Sequence, residues 1–131
     1  IITQVFRYFN VYGPHEEHKG TQASPYTQFC NQAEVNGTIK IFKGSKNYRR
    51  DFVHVDQIVE YHKKFFKVKE SGTWNLGTGK TSSFYKVAKE IADKHKVKIE
   101  YKEMPSVLKE NYQEFTQASM SKVESTLARY D

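Results

Sequence analysis

The sequence predicts an α/β fold, on three observations. Short segments in which apolar and polar residues alternate, the mark of strands, are interleaved with segments whose apolar residues recur at helical spacing. Arg7-Tyr8-Phe9-Asn10-Val11-Tyr12-Gly13-Pro14 reads as an aromatic strand that stops at a polar asparagine and a Gly-Pro turn, with Lys19-Gly20 in the loop beyond. α/β proteins present groups to a ligand in this way, past the carboxyl ends of their strands. The composition, 37% apolar and 15% aromatic over 131 residues, supplies a modest core and argues against disorder.

Each element follows from local chemistry. Val5 to Phe9 is the first strand, and residues 12–22 form a polar loop. Ser24-Pro25 reads as a helix cap with proline at the first helical position. The helix extends to about Val35, with Tyr26, Phe29, Cys30 and Ala33 on one face, and Asn36-Gly37 ends it. Ile39 and Ile41 alternate with polar neighbours as a short strand, and Gly44-Ser45 turns the chain. Asp51 to Val55 returns as a strand. Asp56 is expected to cap the next helix, which carries Ile58, Val59, Tyr61, His62, Phe65 and Phe66. Thr73 to Leu76 is a strand ending at Gly77-Thr78-Gly79, and Ser82 or Ser83 caps a helix with Val87, Ile91 and Ala92 inward. Val97 to Tyr101 is the last strand, residues 102–117 are mostly loop, and a short helix follows Ser119. There is no internal repeat and no linker, so the organisation is one mixed α/β body.

Several classes are excluded. No apolar run approaches the ~20 residues of a membrane span. The opening IITQVF has neither the basic region nor the cleavage site of a signal peptide. The chain starts inside a strand and stops at Arg129-Tyr130-Asp131 without a terminating pattern, so it is expected to be cut at both ends. The single cysteine, Cys30, cannot make an internal disulfide, and inside an amphipathic helix it acts as a small hydrophobe. No His or Cys spacing suits a metal, so none is expected. The balance is basic, 21 Lys+Arg against 15 Asp+Glu, but the charges are scattered singly rather than gathered in a stripe with aromatics. Nucleic acid and an anionic small ligand are both readings of this balance, and the scattered lysines read better as solvated helix and strand faces.

The chemistry-bearing residues each carry two readings. Asn10 can bond a ligand hydroxyl or cap the turn. Lys19 can act as an acid or base or be a solvated loop lysine. Thr21 and Ser24 are hydroxyl ligands or helix-start residues. Phe42-Lys43-Gly44-Ser45, followed by Arg49-Arg50-Asp51-Phe52, pairs a turn that exposes N–H groups with an arginine fork, which makes either a diphosphate clamp or a charged hairpin. Asn75-Leu76-Gly77-Thr78-Gly79 lacks the spacing of either phosphate-loop motif and reads better as a tight strand-to-helix turn. Tyr112 can stack on a base or sugar, or simply be exposed.

Taken together, RYFNVYGP, EHKGTQAS, FKGSKNYRRDFVHV, NLGTGK and YQEFTQAS resemble, in order and gaps, the extended short-chain dehydrogenase/reductase family of NAD-dependent nucleotide-sugar epimerases and dehydratases. HKG followed by a hydroxyl residue and the late YQ-x-FTQA are similar to the branch that epimerises ADP-heptose at C6 through NADP, for lipopolysaccharide core biosynthesis. The resemblance implies that Lys19 is the second catalytic acid/base and lies against the cofactor. It implies substrate contacts at Asn10 and Thr21, an ADP pocket of Phe42, Lys43, Gly44, Ser45 and Arg50, and a late contact at Tyr112. Val11 would border the nicotinamide. Lys43 stands where relatives are commonly acidic, and its contact is expected through backbone. Gln28 falls where the family has a substrate-binding histidine; it can hydrogen-bond but carries no proton.

The resemblance also implies what residues 1–131 lack: the Gly-x-x-Gly-x-x-Gly fingerprint and the Tyr-x-x-x-Lys pair of the N-terminal, cofactor-binding half. The chain would then be the substrate-binding C-terminal part, with strands near 1–9 and 73–76 belonging to the cofactor-domain sheet. On these grounds NADP is expected mostly on the other half, the complete enzyme is expected to be a homo-oligomer in the bacterial cytoplasm, and neither nucleic acid nor membrane is expected as a partner. Val5, Phe6 and Phe9 are expected to need cover from another chain or from that half. A UDP- or dTDP-sugar enzyme and a non-catalytic basic binding module remain alternatives.

Overall fold

A computed structural model describes residues 1–131. The chain is built from four two-stranded pairs. β1 (Gln4–Tyr8) and β6 (Gly72–Leu76) run parallel, with Gln4 opposite Gly72 and Tyr8 opposite Leu76. β2 (Asn10–Tyr12) runs parallel to β5 (Phe52–His54), and β3 (Thr38–Phe42) to β8 (Lys98–Lys102). The fourth pair, β4 (Arg49–Arg50) with β7 (Ser82–Ser83), is antiparallel. Parallel neighbours need a crossover, which the helices supply: α1 (Pro25–Asn36), α2 (Val55–Phe65) and α3 (Phe84–His95). Two shorter helices, α4 (Ser106–Asn111) and α5 (Ser121–Ala128), complete the chain.

β5 divides the interior. Successive strand residues face opposite ways, so Phe52 enters one core and Val53 the other. The first core joins Phe29 and Ala33 of α1, Ile39 and Ile41 of β3, and Val87, Ala88, Ile91 and Ala92 of α3. The second joins Ile58 and Phe65 of α2, Trp74 and Leu76 of β6, and Val123 of α5. Trp74 is wholly enclosed there, and its indole N–H donates to Thr126 Oγ1 at 2.9 Å, which meets the need of a buried donor for a partner.

The predicted strands and helices are present, with local differences. The loop over 12–22 contains a 3₁₀ turn at Glu17–Gln22, drawn tight by Glu16. The second helix is capped by His54 rather than Asp56: His54 is the residue with extended backbone, and its Nδ1 accepts from the Asp56 N–H at 3.1 Å. Val59 and Phe66 lie on the outside of that helix, Phe66 80% exposed. Residues 106–111 are helical, and Arg49–Arg50 pairs with Ser82–Ser83 where a plain turn was expected. Phe6 is partly covered within the chain, where its ring meets Phe65 edge-on at 5.0 Å and His62 at 4.7 Å. Phe9 likewise packs on the second core, and of the three only Val5 stays exposed, at 49%.

Candidate functional site

Arg49, Arg50 and Asp51 leave the chain in three directions. Arg49 turns to α3's approach, donating from Nε to Thr81 Oγ1 and from its terminal nitrogen to the Thr81 carbonyl, both at 2.9 Å. Arg50 turns inward and is only 9% exposed. Its guanidinium carbon lies 5.2 Å from the centroid of Phe84 on one side and 5.2 Å from that of Tyr112 on the other. One terminal nitrogen donates to the Arg49 carbonyl at 2.9 Å, and no carboxylate pairs with the group. A buried cation without a counter-ion is costly, and cation–π contacts offset only part of that cost. The side chain is therefore arranged to receive an anion.

Asp51 is fully buried and also has no cation. Its carboxylate is satisfied by four donors: the Thr78 N–H at 2.8 Å, the Thr78 hydroxyl at 2.7 Å, the Gly79 N–H at 2.8 Å and the Ala118 N–H at 3.1 Å. The Gly77-Thr78-Gly79 loop thus turns its N–H groups to Asp51, and they cannot cradle a phosphate. A Cβ on Gly77 would stand 2.8 Å from Asp51 Oδ2 and 2.8 Å from the Ala118 methyl, which is why glycine is required there. The same junction draws residues 114–118 along Arg49, with the Arg49 N–H donating to the Glu114 carbonyl at 2.7 Å and the Thr116 N–H to the Arg49 carbonyl at 3.2 Å. That path delivers Tyr112 onto Arg50.

Beside Arg50 lies a cavity of about 180 Å³ lined by Gln28, Phe29, Gln32, Ile41, Phe42, Ser45, Phe84 and Tyr112, with Lys40 and Lys102 at the rim. Phe42 and Tyr112 meet edge-on at 6.5 Å, and the Lys102 ammonium sits 4.8 Å over the Phe42 ring. Flat aromatic walls with two carboxamides suit a planar, hydrogen-bonding ring. Gly44 adopts the left-handed φ of 87° that turns the chain between Phe42 and Ser45. The Ser45 N–H and hydroxyl both donate to the Phe42 carbonyl, so the N–H groups the turn leaves without a partner are those of Gly44 and Lys46. Lys43 points away, paired with Glu103 at 2.6 Å, and its N–H is spent on the Lys102 carbonyl.

The loop that carries Lys19 is organised by Glu16. The Glu16 side chain accepts from the Gly13 and Ser24 N–H groups and from the Ser24 and Thr27 hydroxyls. Burial by itself would raise its pKa, but the Ser24, Thr27 and Gly13 hydrogen bonds outweigh burial and hold it below the ordinary 4.5. A carboxylate with a lowered native pKa stabilises above its unfolded pKa and ceases to do so as pH falls through the lowered value. Acidification below about 4.5 is therefore expected to loosen residues 13–27, read as faster amide exchange there, and Glu16→Gln should remove that pH dependence. Lys19 itself is exposed, with its N–H donating to the Glu16 carbonyl at 2.9 Å, and Gly20 adopts φ 56° immediately after it.

Thr21 and Gln28 line a wide cavity of about 700 Å³ between this loop, α1 and His54. Gln28 also borders the aromatic cavity, and its amide nitrogen donates to the Ala23 and Thr21 carbonyls, leaving the amide oxygen for a ligand. Asn10 lies on a third cavity, with Arg7, Asn75 and Thr116, at the end of β1, and Val11 packs on the second core. Gln28, Phe42, Ser45, Arg50 and Tyr112 thus come together, Thr21 adjoins them through Gln28, Asn10 lines the separate cavity at the end of β1, and Lys19 is exposed on the loop and lines none of the three cavities. Cys30 is half-buried, and burial first, then Glu34, raises its thiol pKa against the pull of Lys94, so it is no nucleophile. No group of side chains suits a metal ion, and no helix is long and apolar enough to cross a membrane. Sequence reasoning passed over Asp51, Glu16 and Phe84; a charged residue amid strand apolars was the only trace of the first.

Parallel strand pairs covered by their crossover helices, with polar side chains gathered beyond the strand ends, define an α/β protein of the ligand-binding kind. The chain belongs to the NAD dependent epimerase/dehydratase family, whose model matches residues 2–77, and its fold is that of the extended short-chain dehydrogenases/reductases. It is 43% identical over 127 residues to an ADP-L-glycero-D-manno-heptose-6-epimerase of Brachyspira hyodysenteriae, covering 95% of this chain and 39% of that protein. The crystal structure of the Helicobacter pylori ADP-L-glycero-D-manno-heptose-6-epimerase superposes with a TM-score of 0.85 at 27% identity, over 98% of this chain and 39% of that one. A Thermotoga maritima UDP-glucose 4-epimerase solved with UDP-glucose gives 0.79 at 24% identity, over 95% of this chain and 39% of its own, a likeness of fold. The chain thus spans about 39% of the length of these relatives. The predicted fold class and family resemblance are borne out.

Proposed function

We propose that these residues form the substrate side of an enzyme that epimerises ADP-D-glycero-D-manno-heptose to its L-glycero form at C6, in lipopolysaccharide core biosynthesis. The observation that carries the reading is Arg50, buried between two aromatic rings with no acid paired to it, where both rings also line an aromatic cavity. The adenine would occupy the cavity walled by Phe42, Phe84 and Tyr112. Arg50 and the unpartnered Gly44 and Lys46 N–H groups would hold the diphosphate, anchoring the molecule while its sugar end is free to turn. Asn10, Thr21 and the oxygen of Gln28 would bond sugar hydroxyls.

The family implies a nicotinamide dinucleotide, which we take to be NADP. It would meet this chain at Val11, just beyond β1, and at Lys19 in the following loop. Residues 1–131 hold no glycine-rich dinucleotide fingerprint, so the phosphates of the dinucleotide would be held elsewhere. When bound, the dinucleotide supplies removal of hydride from the sugar C6 and its return to the opposite face. Lys19 would move the proton at the C6 oxygen on one face, and a second acid/base from the other half would serve the opposite face. We place strands β1 and β6 in the cofactor-domain sheet, and the complete enzyme as a homo-oligomer in the bacterial cytoplasm.

The test is nucleotide binding and turnover by the complete enzyme. ADP is expected to compete with ADP-heptose, and Arg50→Ala to weaken ADP binding by about 1.5–3 kcal/mol, roughly 10- to 150-fold in Kd by calorimetry. UDP or dTDP binding tighter than ADP would overturn the choice of nucleotide. An Arg50→Ala enzyme with wild-type ADP affinity would remove the diphosphate clamp from the proposal.

A further inference from the structure

Two carboxamides of α1, Gln28 and Gln32, stand one helical turn apart, and both residues line the aromatic cavity. Backbone partners fix which end of each is free. Gln28 spends its NH2 on the Thr21 and Ala23 carbonyls, at 3.2 and 2.6 Å, and keeps only its oxygen. Gln32 is set the opposite way. Its oxygen accepts from the Lys40 N–H at 2.8 Å, and its NH2 has no partner within the chain. β3 is paired with β8 alone, so the Lys40 N–H has this side chain rather than a second strand as its acceptor. Turning the Gln32 carboxamide over would set NH2 against N–H and break that bond. Gln32 therefore offers donors, of fixed polarity, to whatever fills the cavity. The two lysines that could also donate, Lys40 and Lys102, are exposed residues at the rim.

We propose that Gln32 is a base-contacting, specificity-determining residue whose NH2 donates to a ring nitrogen beside the amino group of adenine, N1 or N7. The inference rests on the nucleotide reading above and names the residue that reads the base. A planar ring among Phe42, Phe84 and Tyr112 turns its faces to the walls and its polar edge to the side groups. The amino group of adenine donates, so the acceptors of the base are its ring nitrogens, and a group limited to donating must meet one of them. The half-buried Gln32 NH2 is hydrated in the free protein, so the contact exchanges water for the ring nitrogen and its gain in affinity is modest. What it adds is selectivity, because a base carrying N–H at that place would set donor against donor.

The test compares ADP with 1-deaza-ADP and 7-deaza-ADP, each of which replaces one of these nitrogens by C–H, in calorimetric binding to the complete enzyme. One of the two analogues is expected to bind wild-type enzyme about three- to tenfold more weakly than ADP. Gln32→Glu keeps an oxygen for the Lys40 N–H and removes the donor, so it should bind ADP and that analogue equally. The ratio between the two nucleotides is the quantity read, since an added charge or a loosened helix bears on both alike. The wild-type arm needs no variant, so the inference can fail even where Gln32→Glu does not fold. Wild-type binding of both analogues as tight as that of ADP overturns it and leaves the nucleotide site standing. So does a penalty that persists undiminished in Gln32→Glu, which assigns the nitrogen to another donor. A wild-type enzyme that binds UDP more tightly than ADP overturns the choice of nucleotide and this inference with it.

Discussion

Asp51→Asn is expected to destabilise the chain by about 3–5 kcal/mol, a large fraction of the stability of an ordinary domain. The carboxylate accepts four hydrogen bonds, three of them from the backbone N–H groups of Thr78, Gly79 and Ala118. An asparagine presents one oxygen and one NH2 group to the same ring of donors. The NH2 would face N–H groups that need an acceptor, so donors on both sides are left buried and unpaired. Neither the Gly77 to Gly79 turn nor residues 114–118 has another anchor of this quality, so Tyr112 should come away from Arg50 as well. Urea unfolding measures the loss. A shift under about 1 kcal/mol would mean that the turn holds its shape without the charge. Leakage of the effect into nucleotide binding is a second readout, since the arginine would lose one of its two aromatic covers.

Lys19→Ala is expected to lower kcat by about 10²–10⁴-fold with KM for ADP-heptose little changed, as for removal of a positioned acid/base. The side chain is exposed on the 3₁₀ turn and makes no ion pair within the chain, so it is free to meet a ligand. Lys19→Arg keeps the positive charge on a group that cannot release a proton in a protein, so it should be nearly as slow as the alanine variant. This comparison separates proton transfer from simple attraction of the substrate. Full activity in Lys19→Arg, or a raised KM at unchanged kcat in Lys19→Ala, would assign Lys19 to binding instead.

How much of this was legible without coordinates follows from the range of the interactions involved. Ser24-Pro25 starts α1, and Ser83 caps α3 by accepting from the Lys86 N–H at 3.0 Å, as their residue types imply, because a cap is settled within four residues. The strands around Val5, Ile39 and Leu76 were likewise written in their own alternation. His54 took the cap expected of Asp56 because pairing with β2 fixes where β5 ends, and that pairing joins residues about forty apart in sequence. The NLGTG turn was correctly denied a phosphate role on spacing, but only the folded chain supplies the cause, since its N–H groups face Asp51. The sequence by itself determined the principal strands and helices, their order and the family, but not the helix at 106–111 or the β4–β7 pair. Tertiary structure alone decided that Phe42, Phe84 and Tyr112 enclose one cavity with Arg50 held against two of them, and that the hydroxyl of Thr116 is left over. Periodicity and capping act within a turn or two of the chain, whereas burial, satisfaction of a charge and the meeting of side chains depend on which distant segments pack together.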